Sequence, residues 1–154
     1  MSERWFPDAM PVPAVSPDTL PWWEAAAEHR LLVQVCDACG RHRHPPSPVC
    51  PHCRSWASSF VEHPGTATIY TFTVVHQPFV PGIPVPYVVA VVELTGTGTR
   101  LVTDIVDEIV DEIVDDVRIG DEVEIVWEDM GPELSLPRAR LTRRRSGRAQ
   151  EATG

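Results

Sequence analysis

Four cysteines, all that the chain contains, stand in two short pairs: Cys36-Asp-Ala-Cys39, followed by Gly40, and Cys50-Pro-His-Cys53. Two CxxC knuckles joined by a loop of this length have the spacing by which four thiolates close tetrahedrally on one zinc ion, each tight turn supplying two sulfurs. Gly40 relieves crowding where the chain turns its amides toward sulfur, and Pro51 stiffens the second turn. The pattern predicts one structural zinc per chain, held by Cys36, Cys39, Cys50 and Cys53. A closed four-sulfur shell leaves no open position for substrate or activated water, so the metal is expected to hold structure and not to do chemistry. His42, His44 and His52 lie close by and read as exposed loop residues, since the sulfur set is complete without them. A disulfide framework would need a secreted context, and a thioredoxin-like pair would place a single CxxC at a βα junction.

No second constellation emerges. The sequence has no GxSxG, no cysteine outside the two knuckles, no paired carboxylates at a defined site, and no GxGxxG or phosphate loop. His63 and His76 stand alone, and a lone histidine is usually structural. These residues do not compose an active site, and the chain is expected not to be an enzyme.

The 154 residues suit one domain, or a small module joined to one of ~80 residues. The formal charge is -9, the pI is near 5.0, and all 13 basic residues are arginine. A net acidic body argues against broad phosphate-backbone binding. Residues 1–13 carry acids and prolines without an apolar run, so no signal peptide is expected. Apolar stretches such as Val88 to Val92 fall far below the ~20 residues of a membrane span. The expectation is a soluble, cytoplasmic protein with no membrane contact.

Elements must position the knuckles. Five prolines up to Pro21 make residues 1–21 an extended arm. Trp22 to Leu32 is alanine-rich and predicts a short helix, with Pro21 suited to its first turn. Adjacent Trp22 and Trp23 point in different directions from such a helix, which makes them candidates for an interface. Leu31 to Val35 reads as a strand entering the first knuckle, and Arg54 to Ser59 as a polar connection leading out of the second. From Gly65 the pattern turns to β-branched residues and period two. Strands are predicted over 66–76, 87–94, 100–105, 122–128 and 134–141, the last read as an edge or terminal strand because Pro137 interrupts it. The micro-repeat IVDE, IVDE, IVDD from Ile105 to Asp116 puts its Ile and Val residues on one face of a helix. The predicted fold is therefore mainly β: arm and helix (1–30), rubredoxin-like zinc ribbon (31–62), five-stranded OB-like barrel (63–141) and a disordered Arg-rich tail (142–154).

The order WWEAAAEHRLLVQVC, CxxCG, CPHC, GTATIYTFTVVHQPF, PGIPVPYVVAVVEL, DDVRIGDEVEIVWED, LPRARL resembles the acyl-CoA-associated zinc-ribbon/OB-fold family known as domain of unknown function 35. The resemblance runs from about Pro17 to Leu141, with the triplicated IVDE a departure from it. It implies a non-catalytic accessory subunit of a thiolase-superfamily enzyme, either a condensing thiolase or a lipid-transfer-protein-like aldolase that shortens steroid side chains on coenzyme A. Such a subunit would help to hold or deliver acyl-CoA. Trp22, Trp23, Phe79, Ile83 and Tyr87 are the candidate partner or acyl-CoA contacts, the last three because the proline-rich loop Gln77 to Pro86 offers pre-ordered apolar anchors. Arg100 is a candidate for coenzyme A phosphate. The alternative is a nucleic-acid-binding module using Arg138, Arg140, Arg143, Arg144, Arg145 and Arg148, with Tyr70, Phe72 and Phe79 as stacking faces. The acidic stretch 105–133 opposes it.

Overall fold

The computed structural model describes residues 5–8, 10–106 and 114–142. Helix α1 (Leu20–Ala27) opens with Pro21 in its first turn, where a missing N–H costs no intrahelical bond. It ends short of Leu32 because His29 takes a left-handed backbone, φ 60°, that a helix cannot continue. The chain then enters a three-stranded antiparallel sheet of β1 (Leu31–Cys36), β2 (His42–Arg43) and β3 (Ser58–His63), ordered β2-β1-β3. β3 corrects the expected polar connection over 54–59. Its SSFVEH sequence is a weak strand former, and it is extended because it pairs with all of β1, from Leu31↔His63 to Cys36↔Ser58.

The second unit is a closed barrel of β4 (Thr66–Val75), β5 (Tyr87–Leu94), β6 (Arg100–Val106), β7 (Glu122–Gly131) and β8 (Leu134–Leu141). The strand order is β4-β5-β6-β8-β7, with β7 returning to β4. β6 and β8 run parallel and the other neighbours antiparallel, which is the OB arrangement. Period-two alternation turns Val88, Ala90, Val92 and Leu94 of β5 inward to meet Ile69, Leu101, Ile105, Val123 and Ala139. Each fully buried Val, Leu or Ile contributes roughly 1.5–3 kcal/mol.

Of the two readings of β8, edge or terminal strand, it is the last strand of the described chain, and the edge reading is corrected. The strand lies between β6 and β7, and its ladder to β6 covers Ile105↔Ala139 and Val106↔Arg140, beginning after Pro137. The proline's missing N–H therefore falls outside that ladder, and on this side the Thr103 hydroxyl donates to the Pro137 carbonyl at 2.8 Å. Of the IVDE repeat, Ile105 and Val106 complete β6, residues 114–116 form a helical turn, and the helix expected over 107–113 lies outside the described residues. The tail from 143 lies outside them as well. Val117, fully buried, joins the core just before β7.

The two sheets are tied together by α1, which packs on both β1 and β8. His29 adds a side-chain link to the barrel: its Nε2 lies 2.7 Å from Asp129 Oδ1 and its ring stacks on Trp127.

Candidate metal centre and flanking surfaces

Each knuckle is a turn closed by its own backbone. The Gly40 N–H donates to the Cys36 carbonyl at 2.8 Å, and the Arg54 N–H donates to the Cys50 carbonyl at 2.9 Å. Both turn-closing residues are left-handed, with φ 71° at Gly40 and 64° at Arg54. The first knuckle thus has the residue the conformation favours, and the second does not. Arg54→Gly is expected to raise stability by about 1 kcal/mol, seen as a thermal midpoint roughly 2–4 °C higher in the metal-loaded protein. A midpoint unchanged or lowered would show that the arginine side chain compensates for its backbone.

The four sulfurs converge. Cys36 and Cys53 Sγ are 3.5 Å apart, Cys39 and Cys50 Sγ 3.7 Å, and all four lie within 4.8 Å of one another. Ligands at a Zn–S distance of ~2.3 Å stand roughly 3.8 Å apart on a tetrahedron, so the set fits a tetrahedral ion. These separations are far beyond the ~2.05 Å of a disulfide, and all four thiols are free.

The backbone also prepares the charge. Amides of Cys39 and Ala38 turned on the Cys36 sulfur hold its thiol below the ordinary range, against the effect of burial. Amides of Cys53 and His52 pull Cys50 down to about 6. Cys53 receives the Ser55 amide, which lowers it, yet the crowding thiol of Cys36, burial, and then Cys39 and Cys50 push it up to about 11. Two sulfurs are thus biased toward thiolate in a cluster that full ionisation would destabilise without a cation. A divalent metal resolves that conflict.

The loop between the knuckles is pinned by a buried network that the sequence reading missed. Gln34 Oε1 on β1 accepts from Arg43 Nε at 2.7 Å and from the Ser47 amide at 2.8 Å, while Arg43 Nη2 donates to the Ser47 carbonyl at 2.9 Å. Gln34 Nε2 donates to Ser58 Oγ at 3.0 Å, joining β3 to the same network. The only sequence hint was two polar residues inside otherwise apolar or extended segments.

The histidines divide. His63 is structural as expected: buried, with Nε2 against the Thr95 carbonyl at 2.8 Å and Nδ1 accepting from the Gly65 amide at 3.1 Å. His52 is exposed, whereas His42 and His44 are half-buried, correcting the expectation for both. His44 packs near the Trp22 ring, and this burial pulls its pKa below the ordinary value.

The candidate contact residues do not share one surface. Phe79 is 84% exposed in the β4–β5 loop. Ile83 and Tyr87, by contrast, are 7% and 8% exposed, Ile83 within the loop and Tyr87 at the start of β5 with its ring against Trp5, so neither is a free anchor in this conformation. Trp22 is buried in the core, and its ring meets half-buried Trp23 edge-on at 4.7 Å.

Arg138 is placed least as the sequence suggested. It is 2% exposed within β8, where Nη1 donates to Glu128 Oε2 and Nε lies 3.4 Å from Asp104 Oδ2. The arm closes over it. Trp5 and Phe6 rings flank the guanidinium at 4.5 and 4.6 Å, and their amides donate to Glu128 Oε1 at 2.8 and 2.9 Å. Arg140 is paired with Glu124, and Arg100 pairs with Glu93 while lying over the Tyr70 ring at 3.5 Å. Of the supposed nucleic-acid residues, Arg138 is therefore engaged inside the fold, whereas Arg140, and Tyr70 with Arg100, the arginine considered for coenzyme A, make their contacts on the surface. Among the described residues no helix is long and apolar enough to cross a membrane.

Comparison with known proteins gives matches to both units. The ChsH2 rubredoxin-like zinc ribbon domain matches residues 23–56, and the ChsH2 C-terminal OB-fold domain matches residues 60–128. The chain is 47% identical over 127 residues to the probable enoyl-CoA hydratase alpha subunit of Thermomonospora curvata. It is 39% identical over 99 residues to the 3-oxo-4,17-pregnadiene-20-carboxyl-CoA hydratase alpha subunit of Mycobacterium tuberculosis. These stretches are 82% and 64% of this chain but 38% and 31% of the relatives, so the chain spans only about a third of their length. Among solved structures, a chain of an Ltp2-ChsH2(DUF35) aldolase superposes with TM-score 0.74 at 45% identity, covering 84% of this chain and 98% of that one. A protein of unknown function from the DUF35 family of Sulfolobus solfataricus shares the fold at TM-score 0.61 and 16% identity, covering 82% of this chain and 87% of its own. With both units matched in order and a 45% identical structure covered almost end to end, the chain belongs to the ChsH2 (DUF35) family of zinc-ribbon and OB-fold proteins.

Proposed function

We propose that the chain is a non-catalytic accessory subunit. It binds a thiolase-like enzyme, either a thiolase or a steroid side-chain aldolase, and helps to hold or deliver the acyl-CoA substrate. The observation that carries this reading is the solved relative, 45% identical and matched over 98% of its length, whose structure is named as one component of a two-protein aldolase. The curated relatives support the substrate class, since both are named as alpha subunits acting on CoA thioesters. The site chemistry agrees with a scaffolding role: all four cysteines are committed to the metal cluster, which fits one structural zinc with no open coordination position.

Phe79 is the anchor on this chain that the reading favours, an exposed aromatic on a loop whose prolines limit the ordering cost of binding. Gel filtration of the metal-loaded chain mixed with the Ltp2-type aldolase of its own organism tests the proposal. A co-eluting complex is expected, and Phe79→Asp should weaken it at least ~10-fold without changing the thermal midpoint. Separate elution of the two unmodified proteins at micromolar concentration would count against the accessory role.

A further inference from the structure

Residues 5–7 of the arm touch two separate parts of the barrel at once. On β7 and β8, the Trp5 and Phe6 amides both donate to Glu128 Oε1, and the two rings rest on the Arg138 guanidinium. Toward the β4–β5 loop, the Trp5 ring meets Tyr87 edge-on at 5.2 Å, where β5 begins. Pro7 packs against the backbone of Gly82 in the same loop: a Cβ placed on that glycine would lie in van der Waals contact, 3.5 Å from the Pro7 Cβ. The arm then turns away, its Met10 amide donating to the Pro7 carbonyl at 2.9 Å.

The two ends of this bridge differ in rigidity. Glu128 and Arg138 are fixed by their own ion pair on neighbouring strands of a closed barrel. The β4–β5 loop has little of its own to hold it. Four of the ten residues from Gln77 to Pro86 are proline and bring no backbone N–H, and the Ile83 amide reaches the Val80 carbonyl only at 3.4 Å. A short segment anchored on the rigid side and packed on the weakly bonded side passes order from one to the other. What it orders is the loop that carries the exposed Phe79.

We propose that Trp5, Phe6 and Pro7 form a clasp that holds the β4–β5 loop in the conformation presenting Phe79, so that docking of the arm and docking of the partner are linked. The three are positioning residues that act through Phe79. The link runs both ways: if the docked arm favours the conformation that binds, a bound partner favours the docked arm by the same factor. The ordering of the loop concerns the free chain, and the link to the partner rests on the accessory reading above.

Hydrogen exchange in the metal-loaded full chain tests the ordering. Trp5→Ala removes the ring from both Arg138 and Tyr87, and should speed exchange of the Phe79, Val80, Gly82 and Ile83 amides by about tenfold while the ribbon and the β5–β6 ladder keep their rates. Unchanged loop exchange would overturn the proposal. So would lost protection throughout the barrel, since Trp5 would then belong to the core and not to a clasp. A double-mutant cycle on the complex with the Ltp2-type aldolase tests the link. Trp5→Ala alone should weaken the complex by roughly threefold or more, through a smaller competent population. Added to Phe79→Ala it should cost nothing further, because the clasp acts through that side chain. Additive losses would mean a separate contact and would overturn the link, as would exchange at the Trp5 and Phe6 amides that bound aldolase leaves unslowed. If the unmodified chain forms no complex, the accessory reading fails, and the exchange comparison still decides whether the arm orders the loop.

Discussion

Replacing Cys50 by serine is expected to release the metal and unfold the ribbon sheet. Cys50 is almost fully buried, and two amides bias its sulfur toward thiolate, so its loss removes a preorganised ligand and leaves those amides facing a weaker acceptor. The ribbon has little core of its own, and metal affinity in such modules supplies folding free energy of order ~10 kcal/mol. The damage should spread. Leu31, Leu32 and Val33 of β1 belong to the same hydrophobic cluster as the barrel, and α1 bridges the two. Metal analysis should fall from about one zinc per chain toward zero, with hydrogen-exchange protection lost from β1 to β3 before the barrel strands. A variant that keeps stoichiometric metal and ribbon protection would remove the case for the four-sulfur centre.

Arg138→Ala should cost about 3–5 kcal/mol, because it strands two largely buried carboxylates beneath the arm. Asp104 and Glu128 both face the guanidinium, and Trp5 and Phe6 rest on it, so the variant also frees the arm. Arg140→Ala is the control: its pair with Glu124 is exposed on both sides and should be worth about 0–1 kcal/mol. The two arginines sit two residues apart on one strand, so strand propensity cannot explain a difference between them.

The pH dependence adds a signature. Burial already raises the Asp104 carboxyl above its ordinary value, while Arg138 pulls it back. A raised folded pKa favours the protonated form, so this group's contribution to stability is lost as pH rises through that pKa. Without Arg138 the folded pKa rises further, and more is lost by neutral pH. The deficit of Arg138→Ala in denaturant unfolding should therefore be larger at pH 7.5 than at pH 5. A deficit that does not change with pH would mean that packing, and not charge, sets the cost.

The metal set and the five barrel strands could be read from the sequence because each rests on local pattern: the CxxC spacing, and the period-two apolar runs such as YVVAVVEL. What could not be read depended on partners distant in the chain. SSFVEH is a strand through its pairing with β1. Pro137 sits inside a closed barrel because the parallel ladder starts beyond it. Arg138, one of a run of arginines by sequence, is a core residue because Asp104 and Glu128 converge on it from β6 and β7. Gln34 and Arg43 are polar residues whose shared network only the folded ribbon assembles. The loop Gln77 to Pro86 and the start of β5 show the same limit: local pattern marks Phe79, Ile83 and Tyr87 alike as apolar, but only the folded chain leaves Phe79 exposed, buries Ile83 and sets Trp5 against Tyr87.

The central claim is that this chain serves a thiolase-like enzyme and performs no turnover itself. The direct measurement is the rate of acyl-CoA cleavage by the purified Ltp2-type aldolase of the same organism, alone, with this chain, and with the chain by itself as the third arm. The account predicts no turnover by the chain alone, little by the aldolase alone, and a saturable gain that reaches its plateau near stoichiometric addition. Turnover by the isolated chain, or an aldolase rate indifferent to its presence, would contradict it.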